Sequence, residues 1–83
     1  MMLVNIGFGS MLARQRVMAV LEPDSAPIKR LVQETRDQGL LIDASYGRKT
    51  QSVIVMDTGH VVLSALSCEQ MTERMKEETD GEG

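Results

Sequence analysis

The stretch from Leu40 to Ala65, LLIDASYGRKTQSVIVMDTGHVVLSA, constrains the fold more than any other part of the chain. It holds three apolar runs, about residues 40–44, 51–57 and 60–66, separated by two connections. Runs of this length, rich in Val and Ile and bounded by Gly, Asp and Ser, read as strands. Asp57-Thr58-Gly59 has the composition of a tight hairpin turn, with Gly59 in the left-handed position. The other connection carries Gly47, Arg48 and Lys49 side by side. Odd positions Val53, Val55, Val61, Leu63 and Ala65 are apolar, and so are Ile54, Met56, Val62 and Leu66 at even positions. A sheet with one wet face alternates more cleanly, so both faces of this one are expected to be covered.

The remaining segments supply candidates for that cover. Met2–Gly7 reads as a strand, Gly7-Phe8-Gly9-Ser10 as a turn or bulge, and Val17–Leu21 as a second strand. A helix is expected over about residues 25–38. Asp24 or Ser25 suits its N-cap and Pro27 its first turn; Ile28, Leu31, Val32 and Thr35 make one stripe, and Gly39 sits at the C′ position. Ser67 and Gln70 have capping-box spacing ahead of a short C-terminal helix with Met71 and Met75 on one side. Beyond Met75 the polar sequence ending Gly81-Glu82-Gly83 reads as frayed. The expected fold class is α+β: a small antiparallel β-sheet with one main helix and a short C-terminal helix.

One helix can cover only one sheet face. The other needs a second sheet layer or another copy of the chain, and the second copy is the expectation, for reasons of size. A chain of 83 residues buries roughly 60–65% of its unfolded surface. The only aromatics are Phe8 and Tyr46, and Cys68 is a single cysteine, so no intrachain disulfide staples the core. Small domains of this kind gain stability by oligomerising. A lone cysteine fits a reducing compartment. No run approaches the roughly 20 apolar residues of a membrane span, and the N-terminus lacks a signal-peptide pattern. A cytoplasmic protein is expected.

The net charge of −3 is unevenly placed. Residues 69–83 carry six acids against two bases, a net of −4, whereas residues 1–68 carry seven bases against six acids. The chain divides accordingly into a single domain, 1–68, and an acidic C-terminal segment, 69–83. The acidity is terminal and does not exclude a polyanionic partner for the body.

Several patterns invite a catalytic reading and fail on spacing. Gly7-Phe8-Gly9 lacks the third glycine of a dinucleotide fingerprint, since position 12 is Leu. Asp57-Thr58-Gly59 matches the aspartic-protease triplet, but only 24 residues follow it, too few for a flap and the enclosing strands. Asp57, His60 and Ser64 are the residue types of a hydrolase triad. His60 and Ser64 lie four residues apart on one strand, about 13 Å, too far for a nucleophile and its base. One His and one Cys do not build a structural zinc site. Neither an enzyme, a cofactor nor a metal is expected. What remains is basic: Arg14 with Arg16, Lys29 with Arg30, and Arg48 with Lys49, each pair near a turn or helix start. Solvated surface is the ordinary fate of such residues. Arg48 and Lys49 stand out because they project from between buried strands, beside Gly47 and Thr50 whose backbone N–H groups suit a phosphate.

The same residues carry a resemblance. Val4-Asn5-Ile6-Gly7-Phe8-Gly9, Arg16-Val17, Pro23-Asp24-Ser25-Ala26-Pro27-Ile28-Lys29-Arg30, Leu41-Ile42-Asp43-Ala44 with Tyr46-Gly47-Arg48, and Val55-Met56-Asp57 through His60-Val61 with Leu63-Ser64-Ala65 resemble the RemA family of bacterial extracellular-matrix regulatory proteins. The match runs in order from about Val4 to Leu66. It implies a nucleoid-associated transcriptional regulator that binds double-stranded DNA as a homo-oligomeric ring, octameric or close to it, with basic residues on the outside. The family's DNA-contacting arginines fall here on Arg16, Arg48 and Lys49, and Arg14 adds a charge beside Arg16. Lys49 stands where the family typically has a second arginine, and Ser10 replaces a usual asparagine. The alternative is a ring-forming RNA-binding or purely structural assembly protein.

Overall fold

The computed structural model describes residues 3–82, with side chains through residue 76. The strands β1 (Leu3–Asn5) and β2 (Met11–Ala13) form a two-stranded antiparallel hairpin. A single 3-10 turn (Arg14–Arg16) leads into β3 (Val17–Leu21). Helix α1 (Ala26–Asp37) follows, then β4 (Leu41–Ala44), β5 (Ser52–Met56), β6 (Val61–Ser64) and helix α2 (Cys68–Glu82). The mixture is α+β, as the sequence leads one to expect. Strands of three residues, such as β2, are too short to leave a periodic signal, and that one is not legible in the sequence.

Local rules place both helices. Ser25 is extended at the N-cap of α1 and Pro27 lies in its first turn. At the other end Gly39 takes φ +77°, its N–H donates to the Arg36 carbonyl at 3.2 Å, and Leu40 N–H donates to the Thr35 carbonyl at 2.9 Å. Those two bonds close a Schellman motif and satisfy carbonyls that the helix end would otherwise leave open. In α2 the capping box forms as the spacing requires. Gln70 N–H donates to Ser67 Oγ at 3.1 Å, and Ser67 N–H donates to Gln70 Oε1 at 2.8 Å. The helix extends to Glu82, longer than the short element expected; the reading of a frayed end beyond Met75 falls where side chains lie outside the described residues.

The four-stranded sheet has the order β3-β5-β6-β4. Its β3–β5 and β5–β6 pairs are antiparallel, but β4 runs parallel to β6, with Ile42 opposite Val62 and Ala44 opposite Ser64. The expectation of a purely antiparallel sheet is therefore corrected: the sheet is mixed. Every residue of β6 is buried, which suits a central strand apolar on both faces. Strand β4 carries exposed Ile42 and Asp43 and takes the edge. Because β6 sits between β4 and β5, the link from β4 to β5 is no hairpin; it crosses two strand spacings, about 9.6 Å.

Both faces are covered, and the cover comes from within the chain. On one face Val53, Val61 and Leu63 pack beneath Ile28, Leu31 and Val32 of α1. On the other, Ile54, Val62 and Ala44 meet Val4 and Ile6 of the N-terminal hairpin segment and Met71 of α2. Arg74 adds a hydrogen bond to the Asn5 carbonyl at 3.3 Å, tying α2 to β1. The expectation that a second copy covers this face is thus corrected. A strand pair and a helix that are far apart in sequence close it locally, and the apolar faces by themselves do not call for an oligomer.

Candidate functional site

The link from β4 to β5, residues 45–51, arches over the end of β6. It is tied down at both feet. The Asp43 carboxylate accepts hydrogen bonds from both the hydroxyl and the backbone N–H of Ser45, the latter at 3.0 Å. Those two bonds, the hydroxyl's first, with Arg36 nearby, hold the Asp43 carboxyl below its ordinary range against a weaker opposing effect of burial. At the far foot Gln51 N–H donates to the Ser64 carbonyl at 2.8 Å. Between them Arg48 N–H donates to the Ser45 carbonyl at 3.1 Å, with Tyr46 at φ +54° and Gly47 at φ +80°. Positive φ at both central residues is the signature of a type I′ turn.

A second turn of the same kind stands against it. In the β1–β2 hairpin Ser10 N–H donates to the Gly7 carbonyl at 3.0 Å, with Phe8 at φ +55° and Gly9 at φ +81°. The Asn5 side chain accepts the Gly7 N–H at 2.7 Å and fixes the entry to the turn. The Phe8 and Tyr46 rings meet edge-on, centroids 5.6 Å apart at 61°. The Tyr46 hydroxyl and Ser10 Oγ hydrogen-bond at 3.0 Å. The Arg48 guanidinium carbon lies 5.0 Å from the centre of the Phe8 ring, a cation–π contact. Lys49 follows directly, and a groove of about 540 Å³ runs beside both cations, bordered by Phe8, Gln51, Leu66 and Gln70.

The basic residues singled out in the sequence do not form one patch in the folded chain. Arg48 and Lys49 precede β5. Arg16 lies past its other end, where its carbonyl accepts the Asp57 N–H at 2.7 Å and its guanidinium meets the Asp57 carboxylate at 3.4 Å. From Thr50 to Asp57 the chain advances seven residues, about 23 Å when extended. Arg16 remains 60% exposed despite that ion pair. Arg14, in the same 3-10 turn, is half-buried and its Nε has no hydrogen-bond partner among the described residues. Phe8 and Ser10 are the site residues that sequence reasoning passed over. Glycines on both sides of Phe8 were the available signal of a fixed, protruding turn.

The residue types of the discarded triad stay apart. His60 Nδ1 bonds the Thr58 hydroxyl at 2.8 Å at the hairpin end, while buried Ser64 Oγ donates to the Ile6 carbonyl at 3.1 Å and accepts the Leu66 N–H. Asp57-Thr58-Gly59 forms the β5–β6 turn, with Gly59 N–H donating to the Met56 carbonyl at 3.1 Å. Among the described residues no helix is long and apolar enough to cross a membrane, and no cluster of His, Cys, Asp and Glu could hold a metal ion.

Comparison with known proteins bears on residues 3–75, which match the family described as RemA-like, Extracellular matrix regulatory protein A-like. The Extracellular matrix regulatory protein A of Bacillus subtilis (strain 168) is 49% identical over 83 residues, covering 98% of this chain and 93% of its own. Two further relatives bear the name "Putative regulatory protein". That of Halothermothrix orenii is 54% identical over 76 residues, 92% of this chain and 90% of its own. That of Bacillus pumilus is 49% identical over 83 residues, 98% of this chain and 93% of its own.

Proposed function

The chain belongs to the RemA-like family, and from that premise we propose that it is a regulatory protein that acts by binding duplex DNA as a homo-oligomeric ring. The observation that carries this reading is the Arg48–Lys49 pair. Both side chains are exposed and neither makes an ion pair among the described residues. They stand on an arch fixed at both feet and braced by a second turn, so little order is lost when they meet a phosphate.

The separation of the two basic patches bears on mechanism. One protomer offers Arg48 with Lys49 at one end of β5 and Arg16, with Arg14 beside it, at the other. One protomer alone makes about three phosphate contacts and binds weakly. A rigid ring repeats them, and avidity of roughly 10²–10⁴ makes the assembly a strong binder without any new contact. Such a protein works on the nucleoid, in the cytoplasm.

The test is DNA binding by the full chain across a salt series, with the solution mass measured alongside. If six phosphates are neutralised, log K falls against log salt with a slope of about −5. Arg48→Ala combined with Lys49→Ala abolishes binding and leaves the mass unchanged. A protein indifferent to duplex DNA but retained by RNA overturns the reading, and a collapse of mass in the double variant makes the arch a subunit contact instead.

A further inference from the structure

The only aromatic residues of the chain, Phe8 and Tyr46, occupy the same place in the same kind of turn. Each is the first central residue, each has positive φ, and each is followed by glycine. That position favours Asn, Asp or Gly, because a bulky side chain there crowds the following carbonyl. The strain is not offset by burial: Phe8 is 51% exposed and Tyr46 62%. The two rings brace each other on the surface, Ser10 pins the Tyr46 hydroxyl, and Arg48 rests on the Phe8 ring. Two strained aromatics fixed side by side on the outside of a small protein mark a surface built to meet a partner.

The chemistry around them defines that partner. Neither turn contains an acidic residue, and Arg48 and Lys49 stand beside the rings. An apolar wedge flanked by cations fits a polyanion with an apolar interior. Duplex DNA is one: apolar side chains enter its minor groove and part a base step while cations hold the flanking phosphates. We infer that Phe8 is such a wedge, entering duplex DNA at a flexible pyrimidine–purine step, with Tyr46 as its prop and Arg48 and Lys49 on the phosphates to either side. The inference rests on the duplex-DNA reading above and deepens it. Preference for a sequence then comes from the ease with which a step unstacks, TA and CA/TG steps being the easiest, and needs no hydrogen-bonded base contact. A second copy of the chain on the same rings is the competing occupant, and it would have to bring acids to Arg48 and Lys49.

The experiment uses the full chain and a duplex carrying 2-aminopurine at a central TA step, whose fluorescence rises when the base unstacks. The wild-type protein raises that signal on binding. Phe8→Ala and Phe8→Asn abolish the rise and weaken binding to the TA duplex roughly tenfold, with the salt slope unchanged because no charge is lost. Asparagine tolerates positive φ, so Phe8→Asn keeps the turn while removing the ring. Phe8→Leu, still apolar, keeps most of the signal. Wild-type protein that binds the duplex with no fluorescence rise overturns the wedge and leaves the DNA reading in place. A fall in solution mass for Phe8→Asn also overturns it, since the ring then belongs to a subunit contact. Wild-type protein that does not bind the duplex removes both.

Discussion

At the scale of single residues, Lys49 is the position where chemistry and charge separate. A lysine ammonium meets a phosphate as a point charge, whereas an arginine guanidinium offers a planar fork that bonds two oxygens at once. Lys49→Arg is expected to tighten DNA binding while the slope of log K against log salt stays the same, because the number of charges is unchanged. A gel-shift series at four salt concentrations checks both quantities. Arg48 differs from its neighbour in having a fixed seat, the Phe8 ring 5.0 Å away. That contact joins residues far apart in the sequence, so the orientation of the arginine depends on the N-terminal hairpin as well as on its own turn.

At the scale of elements, the helix ends and the arch are held by few, identifiable bonds. The Ser67–Gln70 capping box starts α2, and α2 places Met71 in the core with no exposed surface. Ser67→Ala should cost about 1 kcal/mol, read as a fall in the chemical-denaturation midpoint at unchanged slope. The foot of the arch responds to acid. Hydrogen bonds from the Ser45 hydroxyl, and then from its N–H, lower the Asp43 pKa in the folded chain below the 3.8 of a free carboxyl. Below 3.8 the unfolded chain takes up this proton more readily than the folded one. The stabilisation from Asp43 is therefore fully present above 3.8 and is lost as pH falls through the lowered folded value. Thermal unfolding followed from neutral pH into this acid window should show a loss in the wild type that Asp43→Asn lacks.

At the scale of the whole molecule, one sheet separates two small cores. Ile54 belongs to the layer shared by the sheet, the hairpin segment and α2, and is completely buried there. Ile54→Ala removes packing from three elements at once and should cost about 2–5 kcal/mol, a large share of the stability of an 83-residue domain. Calorimetry would show the melting temperature falling by more than for Ser67→Ala. The chain has its own complete pair of layers, so under the proposed ring reading, assembly would serve the repetition of the basic patches more than the completion of a core.

The sequence alone determined whatever depends on neighbours along the chain. Period and capping residues set both helices, Asp57-Thr58-Gly59 set its hairpin turn, and apolar residues at odd and even positions showed a sheet buried on both faces. The same reading isolated Arg48 and Lys49 on an exposed connection. Only the tertiary structure decided the order of the strands, because a buried strand has the same pattern whichever neighbour it pairs with. That order inserts β6 between β4 and β5, makes the connection that carries Arg48 and Lys49 an arch, and sets Arg16 at the far end of β5 from Arg48. It also folds the N-terminal hairpin onto the second face and so brings Phe8 against Tyr46. No local rule joins those two rings; the packing of the hairpin over the sheet does.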